Sequence, residues 1–279
     1  MRYCAASRLS ASRCSARQPT QSGLRSCSKR GDEMARFFVR GIDVREKRGW
    51  VSGGELGHMR RVLRLRPGDR VVLFDDQGWE HEGVLRAYTE QSGEVEILRS
   101  FRAERDSALA VTLAQALGKG EKMDWIVEKA TELGVRRIAP FVSARTVPRL
   151  EREKIEQRRA RWEKIALSAA KQSGRARIPE ILPLSEFADL VGHPWECSLK
   201  LFFWEGEAGR GLTQVRQERD QLESVLVVIG PEGGFSSEEA SEATRHGFQP
   251  VTLGKRILRT ETAALAALAI VQFLWGDIG

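Results

Sequence analysis

The apolar run Val225–Ile229 passes straight into Gly-Pro-Glu-Gly-Gly, residues 230–234. A strand that is apolar at every position has no face to give to water. It must be covered on both sides, as in a parallel sheet between helices. The same texture recurs from about Leu109 onward. "ALAVTLAQAL", "RRIAPFVS", "LKLFFWE" and "QPVTLG" read as strands that alternate with helical patterns. In one of those patterns Met123, Ile126, Val127, Ala130 and Leu133 share a face, and Gly134 ends it. A long charged helix is expected from about Glu151 to Gln172, and a last helix from Thr260. That last segment, "AALAALAIVQFLW", is apolar nearly all round, which predicts a buried helix, and it is too short to span a bilayer. Residues 107–279 are therefore expected to form an α/β domain.

Upstream the period is shorter. "RFFVR", "DRVVLFD", "HEGVLRAY" and "GEVEILRS" are strand-like, with turn signals "RPGD" and "DDQGW" between them. A small β-barrel over residues 34–103 is the expectation, with a linker near Ala103–Asp106. Within it, "GELGHMRRVLRLRPGD" places Leu56, Met59, Val62 and Leu63 at helical spacing, with Arg60, Arg61, Arg64, Arg66 and Arg70 crowded around them.

The net charge of +7 suggests a nucleic-acid partner, but its distribution weakens that reading. Residues 1–33 contribute +5, leaving +2 for the rest, so any RNA site must be a local patch. Those first residues are rich in Ser, Arg, Ala and Cys and lack an apolar run, which argues against a secretory signal. Two readings stay open: an organelle transit peptide, or a chain whose first residue is Met34. Cys4, Cys14 and Cys27 lie in this segment and Cys197 stands alone, so no disulfide framework is expected and a cytoplasmic location follows, organellar if the transit peptide is real. The four His lack ligand spacing and no metal site is expected; GxGxxG, P-loop and nucleophile-elbow motifs are absent from the sequence.

The chemistry is expected at two turns. In the first, glycines let backbone N–H groups approach a ligand beyond the carboxyl end of a strand, Glu232 adds a carboxylate, and Ser236 with Glu239 has capping-box spacing. A plain strand-to-helix connection explains the same residues equally well. In the second, "LGKRILRTETAALAAL", Thr260 is the expected N-cap and Arg259 the nearest cation. An ordinary local ion pair of Arg259 with Glu261 is the alternative there.

These stretches, "IGPEGGFSSEE" and "LGKRILRTETA", together with "LGKGEKMDWIVEKATELGV", "KIALSAAKQSGR" and "HMRRVLRLRPGD", resemble the bacterial ribosomal RNA small subunit methyltransferase E family. The resemblance spans Met34–Gly279. It implies a PUA-like β-barrel that binds RNA and a SPOUT-type α/β domain with a C-terminal trefoil knot. It also implies a homodimer and methylation of N3 of uridine 1498 in 16S rRNA of the small ribosomal subunit, with S-adenosylmethionine as cofactor. Carried onto this sequence, cofactor contacts fall on Phe203, Glu205, Gly230, Pro231, Glu232, Gly233, Leu253, Gly254, Ile257, Leu258 and Thr262. Arg259 would stabilise charge on the base. Glu261, Glu205 or solvent would take the N3 proton, and Glu232 would oppose the sulfonium or hold the cofactor's amino acid group. RNA contacts would come from Arg60, Arg61, Arg64 and Arg66 and from Lys171, Arg175 and Arg177. A non-catalytic ribosome-assembly protein and a SPOUT enzyme with another RNA target are the alternatives.

Overall fold

Four short strands and two long ones come first: β1 (Ala35–Phe38), β2 (Ile42–Asp43), β3 (Arg48–Ser52), β4 (Arg70–Phe74), β5 (Trp79–Tyr88) and β6 (Ser92–Arg102). The computed structural model describes residues 34–43, 45–146, 152–206 and 210–279. The expectations for residues 1–33 lie outside them. The six strands pair in the order β1-β4-β5-β6-β3-β2, antiparallel except for β1 beside β4. Phe37, Val51, Met59, Val71, Leu73, Leu85 and Val95 fill the core against this sheet.

The expected barrel is a half-barrel: among the described residues nothing pairs β2 back onto β1. The free edge of β1 faces a helix instead. Arg36 donates to the carbonyl of Arg175 at 3.0 Å, and the Lys171 ammonium lies 5.5 Å from the centre of the Phe37 ring. The expected helix at 56–63 is also corrected. A five-residue helix, α1 (Gly53–Gly57), runs into a π-helical turn at His58–Val62, where the N–H of Leu63 donates to the carbonyl of His58 at 3.0 Å. This wider turn rotates the following side chains off the apolar face. Leu56 and Met59 are buried, while Val62 and Leu63 are exposed.

The second layer contains β7 (Ala110–Ala116), α2 (Lys122–Glu132), β8 (Arg137–Val142), α3 (Arg152–Ser173), β9 (Glu180–Ile181), β10 (Ser185–Glu186), α4 (Phe187–Gly192), β11 (Leu199–Phe203), α5 (Leu212–Glu218), β12 (Ser224–Ile229), α6 (Ser237–Arg245), β13 (Gln249–Val251) and α7 (Thr260–Trp275). All its pairings are parallel, in the order β10-β8-β7-β12-β11-β13, with β9 beside β8. The apolar run of β12 is explained by two cores. Val225, Val227 and Ile229 pack with residues of α2, α3, α5 and α7, whereas Leu226 and Val228 pack with Phe187, Phe202, Ala240 and Phe248 on the other face. Full burial of each such side chain contributes about 1.5–3 kcal/mol.

Charged residues join the two sheets. Lys171 bonds both carboxylate oxygens of Glu55, at 2.8 and 3.0 Å. Arg175 is 4% exposed; it pairs with Asp106 at 2.9 Å and donates to the carbonyls of Thr131 and Val135. The turn before β5 docks on the segment after α3 through Asp76, which accepts from the N–H of Ile178 at 2.5 Å.

In β5 His81 is buried, bonded through Nδ1 to Ser100 Oγ at 2.8 Å, with no hydrogen-bond partner at Nε2 among the described residues. Burial lowers its pKa from the ordinary 6.5, outweighing the attraction of Asp75. Below pH 6.5 the unfolded chain binds a proton that the folded one refuses, so stability present above that pH is lost as pH falls. Chemical denaturation from pH 7.5 downward is expected to show this loss, at up to about 1.4 kcal/mol per pH unit. In His81→Gln the slope below pH 6.5 is expected to flatten.

Candidate active site

Three adjacent parallel strands end at the same level. Phe203 of β11 is level with Ile229 of β12 on one side and Val251 of β13 on the other. The chain leaving each strand forms one wall of a cleft of about 420 Å³. This is the expected place for a ligand in an α/β sheet, and the volume suits a nucleoside-sized molecule.

The glycine turn after β12 owes its shape to an aromatic ring. A Cβ on Gly230 would lie 2.8 Å from the Phe235 ring, which packs against Phe202, Phe187 and Phe141. Beyond it Ser236 caps α6. Its Oγ accepts from the N–H of Glu239, and Glu239 accepts in return from the N–H of Ser236 at 2.9 Å. The expected capping box is therefore present. The other oxygen of Glu239 accepts from the N–H of Ala144, which fastens the loop after β8 to this helix.

The second turn differs in one respect from expectation. The N-cap of α7 is Arg259 and the helix begins with Thr260. Thr260 is buried; its hydroxyl donates to the carbonyl of Gly230 at 2.6 Å and accepts from Gln115 Nε2 at 3.0 Å. A hydroxyl engaged by these two partners is not available to the helix N–H groups. The loop before it turns at Gly254, whose φ of 108° excludes ordinary side chains. The N–H groups of Lys255, Arg256, Ile257 and Leu258 make no hydrogen bond to any described residue. They belong to residues that line the cleft.

One wall is charged. Glu232 accepts from the N–H of Lys119 at 3.1 Å and from Lys122 Nζ at 3.0 Å. The same ammonium lies 3.2 Å from Glu261 Oε2, an oxygen shielded from solvent. Burial alone would raise the pKa of Glu232. The N–H groups of Lys119 and Glu232 and the Lys122 ammonium outweigh it and hold the carboxyl below its usual range. The hydrogen bond to Glu232 correspondingly raises Lys122.

Of the residues expected at the cofactor, Phe203, Glu205, Gly230, Pro231 and Glu232 line the cleft, as do Leu253, Gly254, Ile257 and Leu258. Arg259 lines it too, exposed and without an ion pair among the described residues. Gly233 lies outside the lining, packed on Arg145, which donates to its carbonyl at 3.0 Å. Thr262 is exposed and also outside it, because the first turn of α7 carries it away from the mouth. Glu261, expected as a catalytic group, is likewise absent from the lining; its carboxylate turns to Lys122. Trp204, Lys122, Phe235 and Thr260 line the cleft and were not anticipated.

The expected RNA residues divide sharply. Arg61, Arg64 and Arg66 are exposed, and Arg60 lies over the Tyr88 ring at 4.4 Å. Arg177 is half-buried and donates to the carbonyl of Gln77 at 3.4 Å. Lys171 and Arg175 are the corrections: both cations are engaged inside the molecule by Glu55 and Asp106, and Arg175 is almost wholly buried.

A cleft at the ends of parallel strands beside a half-barrel layer is a place for a ligand, and the relatives of this chain show its class to be an RNA methyltransferase. Residues 105–272 match the model of the RNA methyltransferase domain and residues 51–98 that of the RNA methyltransferase PUA domain. The ribosomal RNA small subunit methyltransferase E of Bacillus subtilis (strain 168) is 31% identical over 80% of this chain and 89% of its own length. The crystal structure of the Neisseria gonorrhoeae enzyme of the same name, bound to S-adenosyl methionine, is 35% identical over 88% of this chain and all of that one, with a TM-score of 0.79. A Legionella pneumophila protein solved in complex with the bound cofactor SAM is 32% identical over 88% and 99% of the two chains, with a TM-score of 0.80. The chain belongs to the ribosomal RNA small subunit methyltransferase E family.

Replacing Thr260 by Val keeps the shape but leaves the Gly230 carbonyl without this donor and the Gln115 amide with only the Ala116 carbonyl to bond. A loss of about 1–3 kcal/mol in urea unfolding is expected. Thr260→Ser is expected to stay close to the parent.

Proposed function

We propose that this chain methylates N3 of a uridine in 16S rRNA, position 1498 in the usual rRNA numbering, using S-adenosylmethionine. The observation that carries this reading is the cleft itself. Three strand ends converge there, and the unpaired N–H groups of residues 255–258 sit beside apolar walls from Phe203, Ile229 and Leu258. Backbone donors and close walls suit an adenosine, whose edge and ribose need hydrogen bonds and whose ring needs apolar contact. The positively charged portion of the cofactor fits the carboxylate side of the cleft, at Glu232 and Glu205. When bound, S-adenosylmethionine supplies the methyl carbon for transfer to nitrogen.

The chain's own residues do the rest. The two turns hold the ligand in one geometry, and positioning of this kind lowers the barrier to an in-line displacement. Arg259, exposed at the head of α7 and free of any ion pair among the described residues, faces negative charge that develops on the uracil carbonyls as N3 loses its proton. Solvent or Glu205 takes that proton. Arg61, Arg64 and Arg66 supply phosphate contacts on the first layer, and Lys255 and Arg256 supply them at the cleft mouth.

The same reading includes a homodimer, a trefoil knot formed by the chain around 204–206, 210–211 and 252–259, and a cytoplasmic location. It draws support from the bridge of Gly211 to Thr252, which lays one of these segments along the other. Exposed Ile270 and Phe273 on α7 offer an apolar surface for a second copy. Among the described residues no helix is long and apolar enough to cross a membrane.

Mapping of N3-methyluridine in small-subunit RNA tests the reading. The mark at position 1498 is expected with the gene and lost without it; its persistence in the deletion strain overturns the assignment. For the chemistry, Arg259→Ala is expected to lower the single-turnover rate about 10²–10³-fold. Cofactor affinity by calorimetry is expected to stay within a few-fold of the parent. An unchanged rate removes Arg259 from the mechanism.

A further inference from the structure

One ammonium in the cleft wall serves two carboxylates. Lys122 Nζ is 3.0 Å from Glu232 Oε1 and 3.2 Å from Glu261 Oε2, and both contacts are partly shielded from bulk water, with side chains between 17% and 29% exposed. Lys122 opens α2, Glu232 sits in the turn after β12, and Glu261 lies in the first turn of α7. The group therefore ties three elements together. A single carboxylate would have balanced the lysine. The second one leaves the wall with a net charge of −1. The other charged side chains lining the cleft are Glu205, Lys255, Arg256 and Arg259. The three cations all belong to the loop after β13, so the carboxylates and the cations occupy separate elements.

We propose that Lys122, Glu232 and Glu261 make a charge-selective wall that favours the sulfonium form of the cofactor over its demethylated thioether. The proposal rests on the methyltransferase reading above. At neutral pH the sulfonium cofactor carries one more positive charge than the thioether. The two molecules are otherwise nearly the same shape, so apolar contacts and backbone hydrogen bonds hold both alike. A fixed net negative charge distinguishes them. Its field weakens its hold on the ligand when the methyl group and the positive charge leave together, which favours release of the product. Lys122 is the positioning residue. It holds Glu232 ionised and in place at the cleft, and Glu261, behind it, restores the charge that the lysine would otherwise cancel. The raised Lys122 and lowered Glu232 titrations agree with that arrangement.

The test is the ratio of two dissociation constants, for S-adenosylhomocysteine over S-adenosylmethionine, by calorimetry on the full chain at pH 8.5. Glu261→Gln neutralises the wall without removing a residue of the cleft lining, and the ratio is expected to fall about three- to tenfold. Lys122→Met removes the cation and makes the wall more negative, and the ratio is expected to rise. Movement in opposite directions supports the proposal, because general damage to the cleft weakens both ligands alike. A ratio that is unchanged in both variants, or that moves the same way in both, overturns it. Lys122→Arg is expected to keep the parental ratio. If the parent protein binds neither compound, the cofactor reading fails instead, and the two failures are told apart by that control.

Discussion

The hydroxyl of Thr260 joins the two halves of the cleft. It donates to the carbonyl of Gly230 at the end of β12 and accepts from Gln115, fully buried at the end of β7. Because Gln115 also donates to the carbonyl of Ala116, the tips of two neighbouring strands and the head of α7 form one hydrogen-bonded unit. A buried hydrogen bond is costly to leave unmade, so these elements hold their spacing whether or not a ligand is present. Arg259 precedes that anchor by one residue and Glu261 follows it. Their placement, one toward the cleft and one toward Lys122, follows from where Thr260 is fixed.

The α/β layer was legible because burial on both faces leaves a plain record in sequence. Residues 225–229 are apolar throughout, and each side chain meets one of two cores. The capping box at Ser236 was equally plain, since its chemistry is local. The failures share a cause as well. Thr260 was expected to cap a helix, its usual local task, but a partner 145 residues away, Gln115, claimed the hydroxyl. Lys122 was passed over because its two carboxylates arrive from distant segments of the chain. No periodicity encodes such meetings. The family resemblance did contain "LGKGEKMDW", and that motif was the available signal for Lys122.

Arginine content misled in a different way. Lys171 and Arg175 lie in a basic stretch that reads as an RNA patch, and both bind carboxylates at the junction of the two layers. Arg175 also satisfies two carbonyls at the end of α2, work that a flexible ammonium performs poorly. The π-helical turn at His58–Val62 was beyond reach for a related reason. It adds one residue to a turn without any change in composition, and it moves Val62 and Leu63 from core to surface.

The sheet margins carry a consequence for how this protein behaves at high concentration. Bare strands at a margin invite pairing with another molecule and so seed aggregates. Here β2, β9 and β10 have two residues each and β13 three, too few to template a stable ladder. The remaining margin, β1, lies against α3. Both sheets are thus open at their rims yet poorly suited to intermolecular strand exchange, so contacts with another molecule fall to side chains rather than to an added strand.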